Sequence, residues 1–332
     1  FRRDQKINQK HQIKKFTLIG RKRLKKGGIF MKYLVTGADG KLAGRVANNM
    51  LEAVAGTDLI FTCPNLARVP MEKKTAWEEK GVTVKEANYD DVEQMTKAFE
   101  GADRLFFISS IINGPKRVEQ HRKVIEACKK AGVKHITYAS FFGADREGYN
   151  QYVLPDHRAT EKMLKESGIE HNIMRNNLYM ENYLTTSVML AMLSGNVWGT
   201  TAGEGKVTSI AKDDSARCGA ALLLGKGEPN RAYDLTSTIP LSQREICNMI
   251  AEKSGIPFEY KPMTEEEFRA YLEELHIPRT TDGDFSQAPV PFCSNDMITN
   301  EAGISEGQMG VVTHDVELLT GRKPLEVYDL LD

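Results

Sequence analysis

The sequence lacks the features that would place the chain in a membrane, in an oxidising compartment or around a metal ion. No apolar run approaches the roughly 18 consecutive residues that a membrane span needs. The five cysteines are scattered and odd in number, without a C-x-x-C pair or a Cys/His cluster. We therefore expect reduced thiols in the cytoplasm, no bound metal and no membrane partner. The cysteines are Cys63, Cys128, Cys218, Cys247 and Cys293.

Charge is distributed unevenly, although the formal net charge is zero. Residues 1–30 carry eleven Lys or Arg and one acid, Asp4, a net +10, which leaves −10 on the rest of the chain. Such a segment could be a nucleic-acid arm or a targeting peptide, but it has no apolar signal core and no clear amphipathic repeat. Met31 directly precedes the first predicted strand. We interpret residues 1–30 as a basic N-terminal extension outside the fold and expect no nucleic-acid partner; a functional electrostatic tail is the alternative.

From residue 31 onward, short apolar segments alternate with longer amphipathic ones, and 41% of the chain is apolar. This alternation is typical of β-α units around a parallel sheet, and right-handed crossovers then give an α/β, Rossmann-type doubly wound sheet. The predicted strands are residues 33–36, 59–63, 83–86, 104–109, 135–139 and 172–175. The predicted helices between them are residues 40–53, 92–99, 118–131 and 157–167.

A glycine-rich turn is the strongest functional signal. The first predicted strand runs into Gly37, Gly40 and Gly44, and a helix follows. This order predicts a phosphate site, because free amides at a helix N-terminus point toward an anion and glycines let the backbone approach it. The spacing G-x-x-G-x-x-x-G departs from the usual G-x-G-x-x-G. The expected dinucleotide contacts here are Gly37, Asp39, Gly40, Lys41 and Leu42.

The ends of the next strands supply further candidates for cofactor contacts. The second strand ends in Cys63-Pro64-Asn65, without the acid that binds the ribose diol of NAD. An arginine there would select the 2′-phosphate of NADP, and the nearest is Arg68. The cofactor is therefore NADP or NAD, with NADP slightly favoured. The candidates at these strand ends are Asn65, Arg68, Asn88, Tyr89, Ser109 and Ser110.

The alternation changes after residue 176. Helices are predicted at residues 182–193, 213–224, 241–254, 264–275, 313–320 and 324–331, a strand at 232–235 and a loop at 277–295. We expect residues 31–176 to form an NAD(P)-binding Rossmann core. Residues 177–332 are expected to form a smaller C-terminal α/β substrate lobe that is partly interleaved with the core. Ligands bind beyond the carboxyl ends of parallel strands, so the lobe should close over that edge.

The Tyr-x-x-x-Lys pair of short-chain dehydrogenases is absent, because Tyr149 is followed four residues later by Val153 and Tyr152 by Asp156. His157 and Glu161 stand nearby, four residues apart on one helical face. A histidine beside a carboxylate could donate a proton to a developing oxyanion. The alternative for His157 is a structural role at the helix N-terminus.

Polar, aromatic and apolar side chains near the fifth and sixth strand ends are expected to line a substrate cavity. The proposed substrate contacts are Phe141, Asn177 and Met180. Met189, Met192 and Trp198 could extend an apolar wall, although such residues are more often core.

Several segments together resemble the NmrA-like branch of the atypical short-chain dehydrogenases. They are closest to its group of triphenylmethane reductase and NAD(P)H:quinone oxidoreductases. The first is Thr-Gly-Ala-Asp-Gly-Lys-Leu at residues 36–42. The others are residues 88–91, 105–110, 131–140, 157–161, 167–169, 175–182 and 314–324, so the similarity extends from residue 32 to the end.

The resemblance implies a Rossmann fold, an NAD(P)H cofactor and direct hydride transfer to a planar, electron-poor acceptor. It places His157 near the nicotinamide, with Ser140, Asn177 and Tyr179 bordering the pocket. His157 and Tyr179 are then the catalytic candidates, and Ser140 is a further candidate for a cofactor contact. Two positions depart from the family pattern. Cys63-Pro64-Asn65 stands where Val-Arg-Asn is common, so the usual 2′-phosphate arginine is missing, and Asn88 replaces a common Asp.

Two functions follow from these features. The first is an NAD(P)H-dependent reductase of a small electron-poor molecule, such as a quinone, dye or enone-like compound. The missing Tyr/Lys pair agrees with such acceptors, which stabilise the developing charge themselves. The second is a non-catalytic NAD(P)-sensing regulator. The sequence identifies neither the acceptor nor the oligomeric state.

Overall fold

The fold is built on a seven-stranded sheet in which every neighbouring pair of strands is parallel. The computed structural model describes residues 31–331, so the basic segment 1–30 lies outside the described residues. The strand order is β3-β2-β1-β4-β5-β6-β9. The sheet strands are β1 (Tyr33–Thr36), β2 (Leu59–Cys63), β3 (Thr83–Glu86), β4 (Arg104–Phe107), β5 (His135–Phe141), β6 (Glu170–Asn176) and β9 (Ala232–Leu235).

Helices cover both faces of this sheet, which confirms the predicted Rossmann-type doubly wound architecture. Alternate residues of β4 point to opposite faces: Phe106 packs in one apolar cluster, while Leu105 and Phe107 pack in the other. The core helices are α1 (Lys41–Ala53), α2 (Met71–Glu79), α3 (Val92–Phe99), α4 (Pro115–Ala131), α5 (Leu154–Glu166) and α8 (Lys212–Leu223).

Two elements beyond residue 176 return to the core. Strand β9 pairs in parallel with β6 and completes the sheet. Helix α8 packs on α1 so closely that a Cβ at Gly219 would lie 2.9 Å from the Phe106 ring and 3.2 Å from Val46. The first turns of α1 and α8 are therefore side by side, where Arg45 donates to Asp213 at 2.6 Å.

The remaining elements form a second, smaller unit around two further apolar clusters. One of these clusters also includes Phe142, Ala144 and Tyr149 from the segment between β5 and α5, and Leu154 at the start of α5. Two strand pairs, β7–β11 and β8–β10, stand beside the helices. The strands are β7 (Val197–Thr200), β8 (Lys206–Val207), β10 (Leu241–Ser242) and β11 (Glu259–Pro262). The helices are α6 (Met180–Asn182), α7 (Val188–Leu193), α9 (Gln243–Ser254), α10 (Glu265–Glu274), α11 (Ser294–Ser305) and α12 (Asp315–Thr320); α12 packs back against α8.

Some elements differ from the sequence-based expectation. Helix α2 was not predicted because it has no apolar stripe: Trp77 is its single buried residue. Helix α11 begins inside the segment predicted as a loop. Strand β4 ends at Phe107, two residues earlier than predicted, and the strands of the two small sheets were not predicted.

Between residues 31 and 331 the structure contains no helix long and apolar enough to cross a membrane. Within the same residues, no group of three or more His, Cys, Asp or Glu side chains is placed to hold a metal ion. All five cysteines are buried free thiols.

Candidate functional site

The glycine turn joins β1 to α1 and leaves an open helix N-terminus. Gly37 has φ +59°, and a Cβ there would lie 2.8 Å from Cγ2 of Ile108. The amide of Gly40 donates to the Gly37 carbonyl at 2.9 Å, and α1 then begins without a side-chain cap. The first-turn amides of α1 consequently have no intrahelical partner. A turn with a glycine at each end, in front of free amides, fits the pyrophosphate of a dinucleotide.

The other residues of the turn have different environments. Leu42 is buried in the core beneath α1, whereas Lys41 is exposed. Asp39 is half-buried and lies beside the end of β2, where burial and then Asp39 raise the pKa of the Cys63 thiol to about 12. The turn thus presents one cationic and one anionic side chain to its surroundings.

Thr36, the last residue of β1, connects the turn to the neighbouring strands. Its hydroxyl donates to the Phe106 carbonyl at 3.1 Å and accepts from the Ile108 amide at 3.1 Å. The Tyr89 hydroxyl lies 2.7 Å from the Thr36 hydroxyl and 2.9 Å from the Ile108 carbonyl. Burial raises the pKa of Tyr89. The hydroxyl of Tyr89 therefore supports the sheet edge, and its ring packs edge-to-face on Phe107 with centroids 5.7 Å apart.

The polar residues after β2 and β3 stabilise their own loops. Asn65 begins a 3-10 turn by accepting the Ala67 amide at 2.9 Å, and Arg68 ends that turn in an exposed position. Asn88 accepts the Asp90 amide at 3.0 Å. Both asparagines are exposed, so their free amide hydrogens can still meet a ligand.

Ser109 and Ser110 follow β4 and lead into a buried histidine network. The Ser110 amide donates to Nε2 of His121 at 3.0 Å, so this nitrogen is unprotonated and the ring proton resides on Nδ1. Nδ1 lies 2.8 Å from the Thr160 hydroxyl, which donates to the Asp156 carbonyl at 2.8 Å. Burial and Arg117 hold the pKa of His121 well below its usual range. The His121 ring is neutral and fixes the loop after β4.

His157 lies in the first turn of α5, and the residue is 5% exposed. Its Nδ1 is 2.7 Å from the Tyr138 hydroxyl on β5, and the Phe141 ring stacks on it with centroids 6.2 Å apart. Burial first, then Arg117 and His121, hold the pKa of His157 well below its usual range. The imidazole is consequently neutral near pH 7, and it can donate a hydrogen bond but not serve as a charged acid.

The carboxylate of Glu161 does not pair with His157. It accepts from Nε and Nη2 of Arg175 at 3.0 and 2.7 Å, and from the Ser140 hydroxyl at 2.7 Å. Ser140, Glu161 and Arg175 are all buried. The expected contact between His157 and Glu161 is replaced by a bidentate ion pair that joins α5 to β6, and this pair also occupies the hydroxyl of Ser140.

Comparisons with known proteins show the family. The model of the NmrA-like family matches residues 31–303. The chain belongs to the NmrA-like family. It is 33% identical to quinone oxidoreductase 2 of Escherichia coli over 244 residues, which are 74% of this chain and 82% of that protein. An NmrA-like family domain-containing oxidoreductase of Aspergillus flavus is 29% identical over 242 residues, 72% of this chain and 76% of that protein.

Solved structures of NmrA-like relatives share the fold. The E. coli quinone oxidoreductase in complex with NADPH superposes with a TM-score of 0.78 at 28% identity, covering 90% of this chain and 98% of that one. The triphenylmethane reductase of a Citrobacter species complexed with NADP(H) has a TM-score of 0.74 at 27% identity, covering 91% of this chain and 99% of that one. Both structures contain the 2′-phosphorylated form of the nicotinamide dinucleotide, NADPH or NADP(H).

The predicted substrate residues Asn177 and Met180 and the catalytic candidate Tyr179 differ in burial and in the contacts that they make. Asn177 is 1% exposed, and its amide donates to the Thr208 hydroxyl at 3.1 Å and to the Met309 carbonyl at 3.0 Å. Met180 is buried in the apolar cluster of the second unit. Tyr179 is half-buried beneath the ammonium of Lys212, which lies 5.0 Å from the ring centroid.

The predicted apolar wall is likewise divided. Met189 and Met192 are exposed, whereas Trp198 is buried. Trp198 borders a cavity of about 20 Å³, which has room for about one water molecule and not for an aromatic acceptor.

Three residues of the candidate site escaped the sequence analysis. Tyr138 lies within a strand and resembles ordinary core. Lys73 lies on the helix that has no apolar stripe, and its ammonium reaches the Asp39 carbonyl at 3.4 Å. Lys212 begins α8, donates to Oδ1 of Asn182 at 3.1 Å and has its pKa lowered by burial. Lys212 was not singled out, because the segment before α8 reads as a loop.

Proposed function

We propose that this chain is an NAD(P)H-dependent reductase that acts on small, electron-poor acceptors such as quinones, dyes or enone-like compounds. The observation that carries the proposal is the open N-terminus of α1 behind Gly37 and Gly40. Its family relatives include quinone and triphenylmethane reductases whose structures contain NADPH or NADP(H). The bound nicotinamide would supply the hydride. We place the activity in the cytoplasm, with a small molecule as the partner.

The proposed dinucleotide contacts follow the carboxyl edge of the sheet. The amides of α1 hold the pyrophosphate, and the exposed loops after β2 and β3 border the adenosine half. The loop after β4 borders the nicotinamide half. These contacts comprise Gly37, Asp39, Gly40, Lys41, Leu42, Asn65, Arg68, Asn88, Tyr89, Ser109 and Ser110; Ser140 supports the same edge through Glu161.

The chain is proposed to be an atypical short-chain reductase that lacks the Tyr-x-x-x-Lys pair, so that no tyrosine of such a pair acts as the proton donor. Tyr149 is fully buried and its hydroxyl contacts the sulfur of Met309 at 2.8 Å, so it cannot serve in that role. His157 is neutral, and a Tyr138 hydroxyl that donates to Nδ1 leaves the ring proton on Nε2. We propose that His157 offers this N–H as a hydrogen bond to the acceptor. Phe141 and Tyr179 would form aromatic walls nearby, and Tyr138 is a positioning residue.

The division of labour follows the fold. Residues 31–176, together with α8 and β9, are proposed to bind the cofactor, and the second unit is proposed to shape the acceptor site. Asn177 and Met180 would act in it indirectly, since both side chains are buried. Acceptors that stabilise negative charge themselves need little acid catalysis, which agrees with a neutral His157.

The proposal is tested by mixing the purified chain with NADPH or NADH and a panel of quinones, an azo dye and a triphenylmethane dye. Loss of nicotinamide absorbance with at least one acceptor is the expected result. Tight cofactor binding without oxidation by any acceptor would instead assign the chain to the non-catalytic, dinucleotide-sensing role. Failure to bind either cofactor would contradict the placement of the dinucleotide at the glycine turn.

A further inference from the structure

The strand order of the sheet reverses between β1 and β4. From β1 the sheet continues through β2 and β3, and from β4 it continues in the other direction through β5 and β6. Ligands of doubly wound sheets bind in the crevice beyond the carboxyl ends of the strands at such a reversal. The glycine turn after β1 forms one side of this crevice. The loop after β4, residues 108–114, forms the other, and the two sides meet where Ile108 packs against Gly37.

Buried side chains of α4 and α5 hold the loop after β4 in place. Arg117 of α4 is buried, and its Nε donates to the Ile112 carbonyl at 2.8 Å. The Gly114 amide donates to Oδ2 of Asp156 at 2.7 Å, and Nη1 of Arg117 lies 3.6 Å from the same oxygen. Asp156 directly precedes His157 in α5. One buried ion pair therefore fixes this loop relative to the proposed hydrogen-bond donor.

Ile111 is the exposed residue of this loop. It is 92% exposed, whereas the other residues of the loop are half-buried. Beneath it, the Ser110 hydroxyl donates to the Ile112 carbonyl at 3.3 Å. Isolated exposed apolar residues are common on protein surfaces, but Ile111 stands at the rim of the crevice where a ligand is expected. An apolar molecule that covered this side chain would gain affinity, and little ordering cost would oppose the gain because the loop is already fixed.

We propose that Ile111 contacts the acceptor and favours acceptors that carry apolar substituents. The inference rests on the proposed function and names a residue that determines its acceptor specificity. Ser109 and Ser110, which are closer to the end of β4, are the proposed contacts of the nicotinamide half, so Ile111 is placed to contact the molecule that lies against the nicotinamide. Such a contact stabilises the bound acceptor and the transition state alike, so it should lower KM and leave kcat unchanged.

The test compares the steady-state kinetics of the wild-type chain, Ile111→Ser, Ile111→Leu and Leu318→Ser with NADPH and a series of benzoquinones from unsubstituted to fully methylated. Leu318 is the matched control, because it is 62% exposed on α12, which packs against the edge strand β9. For each quinone, the ratio of variant KM to wild-type KM cancels the reactivity of the quinone itself.

We expect the KM ratio of Ile111→Ser to rise with each methyl group and to reach about tenfold for the fully methylated quinone. Its kcat and its dissociation constant for NADPH should change by less than about twofold. Ile111→Leu keeps an apolar side chain of the same size and should behave like the wild-type chain, as should Leu318→Ser.

A KM ratio of Ile111→Ser that is the same for every quinone would overturn the inference, because the side chain would then not contact the substituents. Weaker NADPH binding by this variant would overturn it as well, since Ile111 would then contact the cofactor. A wild-type chain that oxidises NADPH with none of the quinones would contradict the proposed function itself, so the two failures are distinguishable. The melting temperature of Ile111→Ser should equal that of the wild-type chain, because the side chain is exposed.

Discussion

At the scale of single residues, Gly37 tests whether the turn holds a ligand. Gly37→Ala forces a Cβ onto a backbone with φ +59° and against Ile108, so we expect a loss of about 1–2 kcal/mol of unfolding free energy. Gly132→Ala is the control, because Gly132 has φ +75° and nothing within 4 Å of a Cβ. Both variants should lose stability in urea denaturation, and Gly37→Ala alone should lose affinity for the dinucleotide. If Gly37→Ala and Gly132→Ala bind the dinucleotide with equal affinity, the turn does not contact the cofactor.

The pair of Tyr138 and His157 makes a second prediction at this scale. Tyr138→Phe removes the hydroxyl 2.7 Å from Nδ1 and leaves the His157 proton free to occupy either nitrogen. We expect kcat to fall about tenfold, which corresponds to the free energy of about one hydrogen bond, with little change in the dissociation constant of the cofactor. His157→Ala should lower kcat by at least as much. Tyr149→Phe, which also removes a buried hydroxyl, is the control and should leave kcat unchanged.

A change in KM or cofactor affinity without a change in kcat would assign Tyr138 a structural role only. Adding Tyr138→Phe to His157→Ala should have no further effect on kcat, because both substitutions remove the same interaction.

Single residues also show what the sequence could predict. The glycine turn was recognisable because a strand, glycines and a helix follow one another in adjacent positions. The partner of His157 was not, because Tyr138 approaches from a different strand and the four-residue spacing pointed to Glu161 instead. Lys73 was equally hidden, since its proximity to Asp39 depends on a helix without an apolar pattern.

At the scale of elements, the ion pair between Arg175 and Glu161 holds α5 against β6. Both side chains are buried, and although burial opposes the charge, Glu161 raises the pKa of Arg175. Arg175→Met would leave the Glu161 carboxylate buried without its cation, with the hydrogen bond from the Ser140 hydroxyl remaining. We expect a loss of about 3–5 kcal/mol of unfolding free energy. The double variant Arg175→Met with Glu161→Leu should recover much of that loss.

Urea denaturation of the two single variants and the double variant measures the coupling between them. Arg175 also pairs with Asp145, so Asp145 is left unsubstituted in all three variants. A double variant that is as unstable as the sum of the single variants would show that the pair does not join these elements.

Regular elements were predictable where burial is periodic. The predicted strands of the core overlap the observed ones because most are short apolar runs between turns; the polar β3 is the exception. Helices α2 and α11 were missed or misplaced, since α2 buries one side chain and α11 starts within a segment rich in proline and glycine. The two-residue strands β8 and β10 are held by tertiary pairing, which no local pattern reveals.

At the scale of the whole molecule, the chain leaves the sheet after β6, builds part of the second unit and returns with α8 and β9. This return brings the N-termini of α1 and α8 together beside the glycine turn, with Lys212 and Arg45 at their first turns. Local sequence patterns could predict the doubly wound core and the position of the turn. They could not predict which later elements rejoin the core, because that pairing is decided by packing such as Gly219 against Phe106.

The most direct test of the account is a single-turnover experiment in stopped flow with excess enzyme, a quinone, and NADPH that carries deuterium at the transferred position. If the chain holds the dinucleotide at the glycine turn and passes its hydride directly to the acceptor, the nicotinamide absorbance should disappear in one turnover and more slowly with the deuterated cofactor. Bound NADPH that stays reduced with every quinone of the panel would contradict the account.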